Sequence, residues 1–428
     1  MPPSTPPLAV LPWQQPVIAT GVKLKALALV LIALGLIRIV GSLDGAAMRN
    51  DFSHYYIAGK IVLSGGDPYQ VHLEKPCRQL GFEYDPRIPI AAHPPLLIRM
   101  FACIAWLPPQ QAYLVWVCGQ FVCLAVLLWA VHRVLELSGG MGGLWWPLVA
   151  LVVNSTSLQA QFFYSQVQLP VAALLAVAYL MRVEKRDLLA CALVALAAGF
   201  KLYPAVLLPW FVLSDAGGLR PWLKRSGIVL LVLSAVLSVT GIHAWESFLR
   251  HGMPVLKANM EAGSYTNYSL QAFLSLWVHR LLDGALPQAS GAIARAAATG
   301  GAALIILGAY FCIWRLRLTR QAAFSLLTIA MIAGSLVAWS HYMVLLILPA
   351  ALLIQSGSRL GDRCRAIHYV LAMLCLMPQL DCLLLPPSSA GWRLVLHFYP
   401  LYTLGALAIL LVGGRHFSRG VEEYPAGI

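Results

Sequence analysis

Apolar runs of roughly 20 residues recur along most of the chain, and each is long enough as a helix to cross about 30 Å of hydrocarbon. Only 11% of the 428 residues are charged and 60% are hydrophobic, whereas a soluble domain has about 25% charged residues. The expected class is therefore an all-α polytopic membrane protein. Runs bounded by polar or turn residues predict about twelve transmembrane helices, over 23–42, 91–107, 111–132, 144–160, 167–182, 188–213, 223–243, 292–314, 321–339, 341–356, 366–384 and 393–413.

Two long hydrophilic connections interrupt these runs, 43–90 and 244–291. The expected plan is a Pro-rich, disordered cytoplasmic N-terminus over 1–22, one membrane domain over 23–414 and a cytoplasmic tail over 415–428. The run 26–40 behind Lys23 and Lys25 resembles a signal peptide, with small residues following at Gly45, Ala46 and Ala47. The long region before it and the many later spans favour an uncleaved first span.

The formal net charge of +13 does not point to nucleic acid. Lys and Arg sit in short clusters between apolar runs, as the positive-inside bias produces. Lys23/Lys25, Arg220/Lys224/Arg225, Arg315/Arg317/Arg320, Arg359/Arg363/Arg365 and Arg415/Arg419 share one side of the predicted topology. That side is the cytoplasm, so both long connections face outward. One cluster, "MRVEKRD" over 181–187, lands on the other side. Either that loop breaks the bias, or a segment between 111 and 182 is re-entrant. The nine cysteines include no CxxC pair and lie mostly inside apolar runs, at Cys103, Cys118, Cys123, Cys191, Cys312 and Cys375. They read as small core residues.

The first connection opens with "RNDFSHYYIAGKIVLSGGDPYQ" over 49–70 and holds six of the seventeen acidic residues in the chain. Phe52, Tyr55, Tyr56, Ala58, Gly59, Ile61, Val62 and Leu63 predict an amphipathic helix lying along the membrane surface. Gly65-Gly66 stops it, and "DPY" (Asp67–Tyr69) adds a turn with an aromatic anchor. Asp51 stands at the helix start and has two readings. It is a preferred N-cap, or it is a general base placed to take a proton from an acceptor hydroxyl in glycosyl transfer.

The pattern "DF..YY.AG..L..G.DPY" after a single span resembles polyprenol-dependent glycosyltransferases of the GT-C fold. More narrowly it is similar to glycosyltransferase family 87, including mycobacterial mannosyltransferases of phosphatidylinositol mannoside synthesis. Further pieces follow in order: "HPPLLIRMFACIAWLP" (93–108), "YSQVQLPVAALLAVAYL" (164–180), "AAGFKLYPAVLLPWFVL" (197–213), "NYSLQAFL" (267–274) and "SHYMVLLILPA" (340–350). Where that family has Gly-Gln-x-Asn, this chain reads Ser165-Gln166-Val167-Gln168, and His54 is an addition to the pattern.

The resemblance implies Asp51 as catalytic base, with Lys201 and His341 near the donor phosphate. Lys201 is the one basic residue in the run 188–213, which marks a functional group or one that snorkels to an interface. Pro204 should distort the helix beside it. His341 at a helix end suits a phosphate or a backbone carbonyl. Tyr55, Tyr56 and Tyr69 would contact sugar, and His54, Asp67, Gln166, Gln168 and Tyr203 are further candidates for donor or acceptor binding. Asn267 and Ser269 would form an acceptor-side wall or cap an interfacial helix. Arg49 and His93 would assist the donor or anchor headgroups.

The chain has no DxD motif, so neither metal nor cofactor is expected. The implied reaction transfers a hexose, mannose by family weight, from a polyprenyl-phosphate donor to a lipid or glycan hydroxyl, with inversion. The implied setting is a monomer among the lipids of a bacterial inner membrane, with its site on the extracytoplasmic face. A transporter or flippase of lipid-linked saccharides is the rival class. The lopsided acidic connection after the first span argues against it, because transporters tend to internal symmetry.

Overall fold

A computed structural model describes residues 15–43, 51–140, 142–214, 218–261, 267–282, 287–358, 362–378 and 399–413. Every regular element among them is helical. In chain order they are α1 (Gln15–Gly41), α2 (Asp51–Leu63), α3 (Glu74–Gln79), α4 (Pro95–Ala102), α5 (Pro109–Leu137), α6 (Trp145–Asn154) and α7 (Thr156–Phe163). Next come α8 (Gln168–Val183), α9 (Asp187–Phe200), α10 (Leu208–Leu213), α11 (Leu219–Thr240), α12 (Ile242–Ser247) and α13 (Met253–Glu261). The last six are α14 (Leu270–Leu282), α15 (Pro287–Leu316), α16 (Arg320–Ala333), α17 (Ile347–Ser358), α18 (Asp362–Leu376) and α19 (Tyr399–Gly413). Short 3₁₀ turns over Tyr203–Leu207 and Ser340–Leu346 lead into α10 and α17.

Among the described residues, four helices are long and apolar enough to cross a membrane: Val22–Gly41, Pro109–Leu137, Leu219–Thr240 and Gly291–Leu316. The centre of the bundle is α8, which packs on α5, α9 and the Ser340–Leu346 turn. Ala172, Ala173, Ala176, Ala178, Ala190, Ala195 and Ala197 are buried on α8 and α9. Small residues let helix backbones approach closely, which is how helices associate where apolar burial gives no preference for protein over lipid.

The expected spans need correction at several places. The run 91–107 holds only the eight-residue α4, about 12 Å long at 1.5 Å per residue. It starts behind the Pro94-Pro95 pair, with Pro at its first position. The run 144–160 is broken at Ser155, whose hydroxyl caps α7 by accepting from the Leu158 N–H at 3.2 Å. The run 188–213 does not cross but doubles back. The Cys191 thiol meets the Phe211 carbonyl at 3.4 Å, and Arg182 bonds both Asp187 and Ser214. The first helix starts at Gln15 rather than at 23. The tail 415–428, the span residues 379–384 and 393–398 and the cluster Arg363/Arg365 with Arg359 concern positions whose side chains lie outside the described residues.

These corrections dispose of the exceptional cluster. Arg182 and Arg225 both bind Asp187, so the 181–187 turn lies at the same end as Arg220, Lys224 and Arg225. Gln321, beside Arg320, bonds the 138–140 turn, and Lys25 lies over the Trp146 ring, bringing the Lys23/Lys25 and Arg315/Arg317/Arg320 clusters to that end. The change of side comes from 91–107, which holds only the short α4 and lies outside the 111–182 interval named in the re-entrant alternative; the 188–213 hairpin leaves the side unchanged.

The two long connections meet at the opposite end. Ser247 donates to Asp67 at 2.6 Å, and the Tyr69 and Phe248 rings lie 5.7 Å apart. The helix α2 is enclosed rather than laid on a surface: Ser53 and His54 are buried along with Phe52, Tyr55, Tyr56 and Ile57. Gly59 makes this possible, because a Cβ there would sit 2.8 Å from the backbone of Phe101 and Ala102 in α4. Gly65 ends α2 at φ +79°, and the Gly66 N–H closes on the Ile61 carbonyl at 2.9 Å. Cysteines are mixed: Cys191 and Cys375 are buried, but Cys103 and Cys118 are exposed, since on a membrane protein an apolar position can face lipid.

Candidate active site

Asp51 opens α2, and its carboxylate accepts a hydrogen bond from the Gln166 side-chain amide. The Gln166 carbonyl oxygen in turn accepts from the Tyr55 hydroxyl at 3.0 Å. Asp51 and Tyr55 stand one helical turn apart on α2, so one glutamine bridges both.

Gln166 is itself held from below. Its backbone carbonyl accepts from Gln120 at 2.8 Å and from Gln161, and Gln161 also donates to the Gln120 side-chain oxygen at 2.8 Å. The Trp116 indole binds the neighbouring Ser165 carbonyl at 3.0 Å. Ser165 has φ +53°, a left-handed conformation that a side-chain-bearing residue keeps only where its surroundings hold it. All three glutamines are 1% exposed or less.

Lys201 follows the last residue of α9 in an extended conformation, φ −144° and ψ 139°, before Pro204 starts the 3₁₀ turn. It is therefore at the tip of the α9–α10 hairpin, 9% exposed, and does not snorkel to an edge. Its charge acts on Asp51, His93 and His341, so the four groups form one electrostatic cluster. His341 enters where the Ser340–Leu346 turn begins, with Trp339, Tyr342 and Tyr164 rings at 5.6, 5.2 and 6.1 Å. His93 lies edge-on to Tyr55 at 4.6 Å. Tyr69 holds the His93 carbonyl at 2.7 Å.

The cluster is rich in unused polar atoms. Both ring nitrogens of His93 and of His341, the Gln168 amide and the Tyr203 hydroxyl are buried without a hydrogen-bond partner among the described residues. Buried polar groups are normally paired because an unmade bond costs about 1–3 kcal/mol each. So many together mark a place built to receive a polar ligand.

Burial pushes the Asp51 carboxyl up to about 6, against the opposing effects of the Lys201 charge and the Gln166 bond. His54, 4.0 Å from Asp51 through Nδ1, is pushed down by burial and stays neutral near pH 7. At the outer edge, Arg87 forks onto Asp85 at 2.8–3.1 Å. Partial burial would raise Asp85, but the Arg87 bonds hold it below the usual carboxylate range. This pair acts on both Asp51 and His54.

Of the residues singled out from sequence, the cluster gathers Asp51, His54, Tyr55, His93, Gln166, Gln168, Lys201, Tyr203 and His341. Others are placed in structural roles. Tyr56 bonds the Leu107 carbonyl at 2.7 Å. Asp67 caps its own turn at Tyr69 N, 2.9 Å, and ties the two long connections together. Asn267 accepts from Ala338 N at 2.9 Å, and the Ser269 hydroxyl accepts from Ala272 N at 3.1 Å. Both brace the segment leading to His341 and start α14. Arg49 lies outside the described residues.

Sequence reading passed over Gln120, Gln161, Tyr164, Tyr342, Asp85 and Arg87. A signal existed for the two glutamines, since amides inside apolar runs must find partners. For the Asp85–Arg87 pair there was none.

The model of a family described as Glycosyltransferase family 87 matches residues 92–349. No curated protein and no solved structure matches the chain.

Proposed function

The chain belongs to glycosyltransferase family 87, and on that premise we propose that it moves a hexose, mannose first among candidates, from a polyprenyl-phosphate donor to a hydroxyl of a lipid or glycan acceptor. It is a membrane glycosyltransferase, and the rival transporter reading gives way to that assignment.

Asp51 takes the proton of the acceptor hydroxyl as its oxygen attacks the anomeric carbon. The bond from that carbon to the phosphate oxygen breaks on the opposite face, which inverts the configuration, and polyprenyl phosphate leaves with the bond's electron pair. Lys201 offsets the growing charge on the phosphate, and His341 and His93 offer hydrogen bonds to it or to the sugar. Gln168 and Tyr203 offer the remaining polar contacts.

The observation that carries the reading is the Asp51 carboxylate held by Gln166 in one cluster with a buried lysine and the unpaired His93, His341, Gln168 and Tyr203, where burial pushes the carboxyl up to about 6. A base must be largely ionised at working pH yet still basic, and this value satisfies both needs. Basic clusters gather at the end of the bundle opposite Asp51. By the positive-inside bias this supports an extracytoplasmic site, in the inner membrane of a bacterium.

The test is Asp51→Asn in purified protein given polyprenyl-phosphate mannose, glucose or galactose with a lipid-extract acceptor. A loss of transfer of about 10²-fold or more is expected. An unchanged rate would sink the general-base role.

A further inference from the structure

The end of the bundle opposite Asp51 has an open cleft of about 680 Å³ lined by Lys185, Arg186, Asp187, Arg220, Lys224 and Arg225 with Leu188, Leu189 and Pro221. Its carboxylate is already engaged. Asp187 binds Arg182 at 2.7 Å and also binds Arg225. Arg186 rests 3.6 Å from Glu184. Lys185, Arg220 and Lys224 make no ion pair or side-chain hydrogen bond among the described residues, and all three are exposed.

The local backbone brings these cations together. Lys185 sits at φ +62° in the turn between α8 and α9, where the Arg186 N–H closes on the Met181 carbonyl at 2.8 Å. Glycine or asparagine would be the easier residue there. Arg220 and Lys224 are one turn apart at the start of α11, so they share a face.

The flanks of the cleft are apolar. Leu188 and Leu189 on α9 are each 46% exposed, and Leu219 and Leu223 on α11 are 67% and 52% exposed. A surplus of unpaired cations bordered by apolar surface, at the basic end of a membrane protein, suits an amphiphile with an anionic head. We propose that this cleft binds the phosphate of an anionic phospholipid, with Lys185, Arg220 and Lys224 on the headgroup and the acyl chains against the leucines of α9 and α11.

The position gives the site a consequence. Asp187 and Ser214 are the two feet of the α9–α10 hairpin, and Arg182 and Arg225 join them. The tip of that hairpin carries Lys201 and Tyr203. A phosphate bound at the base adds anionic charge to a cation-rich junction and fastens the hairpin that presents both residues.

The test uses the full chain in detergent micelles doped with phosphatidylglycerol or with phosphatidylcholine, and a third arm with inorganic phosphate alone. Phosphatidylglycerol should raise the melting temperature over phosphatidylcholine by about 2 °C or more. Arg220→Gln/Lys224→Gln, which spares the buried Arg182–Asp187–Arg225 bonds, should abolish that difference. So should Lys185→Gly, which removes the cation while suiting the backbone. Equal shifts with the two lipids, or a phosphatidylglycerol shift that survives in both variants, would overturn the site. A shift of the same size with inorganic phosphate, lost in the variants, would assign the cleft to a soluble phosphate and overturn the lipid.

Discussion

Gln166 donates its side-chain amide to Asp51 across 115 residues of sequence, and it does so while bound to Tyr55 at 3.0 Å. One amide thus sets the direction of the carboxylate and ties it to its own helix. Its loss leaves the partly buried carboxylate with one fewer donor, so the Asp51 value should climb above about 6. Gln166→Leu is expected to cut kcat by about 10-fold or more and to move the acid limb of the pH–rate profile upward. Steady-state rates across a pH series spanning that limb would check both. A lower kcat with an unmoved limb would show that Gln166 acts only as scaffold.

Transfer should fall as pH drops through about 6, because protonated Asp51 is no longer basic enough to take the acceptor's proton. Below that point log(kcat/KM) against pH should approach a slope of about 1. The profile of Asp51→Glu should keep an acid limb, and that of Asp51→Asn should have none.

The same shift makes a stability prediction. The folded carboxyl binds its proton more tightly than the unfolded one, about 6 against 3.8. Its contribution is therefore favourable below the unfolded value and is lost as pH rises through the folded one. Asp51→Asn should stabilise the fold at about pH 8, by an amount on the order of 1–3 kcal/mol, and should give no gain at about pH 4. Thermal unfolding of both proteins under the two conditions reads this directly.

Lys201→Met removes the cation facing Asp51 and keeps most of the side-chain volume. Transfer should fall by about 10²-fold or more, and the acid limb should again rise, since Lys201 opposes the burial effect on Asp51. Lys201→Arg should restore the charge without the full rate, because a planar guanidinium presents its donors in a fixed fork rather than as the compact ammonium of lysine. Full activity in the Arg variant would show that charge alone suffices.

Gly59→Val places two methyl groups against the backbone of Phe101 and Ala102, which a Cβ alone would already meet at 2.8 Å. The cost should be about 1–3 kcal/mol, with α2 pushed from α4 and Asp51 shifted from Gln166. Lys60→Ala, at the exposed neighbouring position of the same helix, is the control and should leave stability and rate within error. Melting temperature and transfer rate together would test the pair.

Much of this site was legible as types and order. The first loop's acid at a helix start, the lone lysine before a proline and the histidine at a helix entry are local signals, and each stands where its neighbours put it. The partners were not legible. Asp51 and Gln166 belong to separate apolar contexts, and nothing in either stretch names the other. Asn267 and Ser269 resemble ligand-facing polar groups because a buried amide that binds backbone reads the same in sequence as one that binds sugar. Asp67 reads the same way in sequence, and its bond to Ser247 is likewise a contact between distant stretches.

Sequence alone determined the solvent and the secondary structure. Runs this apolar must leave water, and a backbone out of water must close its own hydrogen bonds, so the chain is helical and membrane-bound. Tertiary structure decided which runs cross. Hydropathy measures the preference for leaving water, but it is nearly blind to whether protein or lipid replaces it. The run at 91–107 left water by packing α4 against α2, and the run at 188–213 did so by folding back on itself. That second choice put Lys201 at a hairpin tip, within electrostatic reach of Asp51.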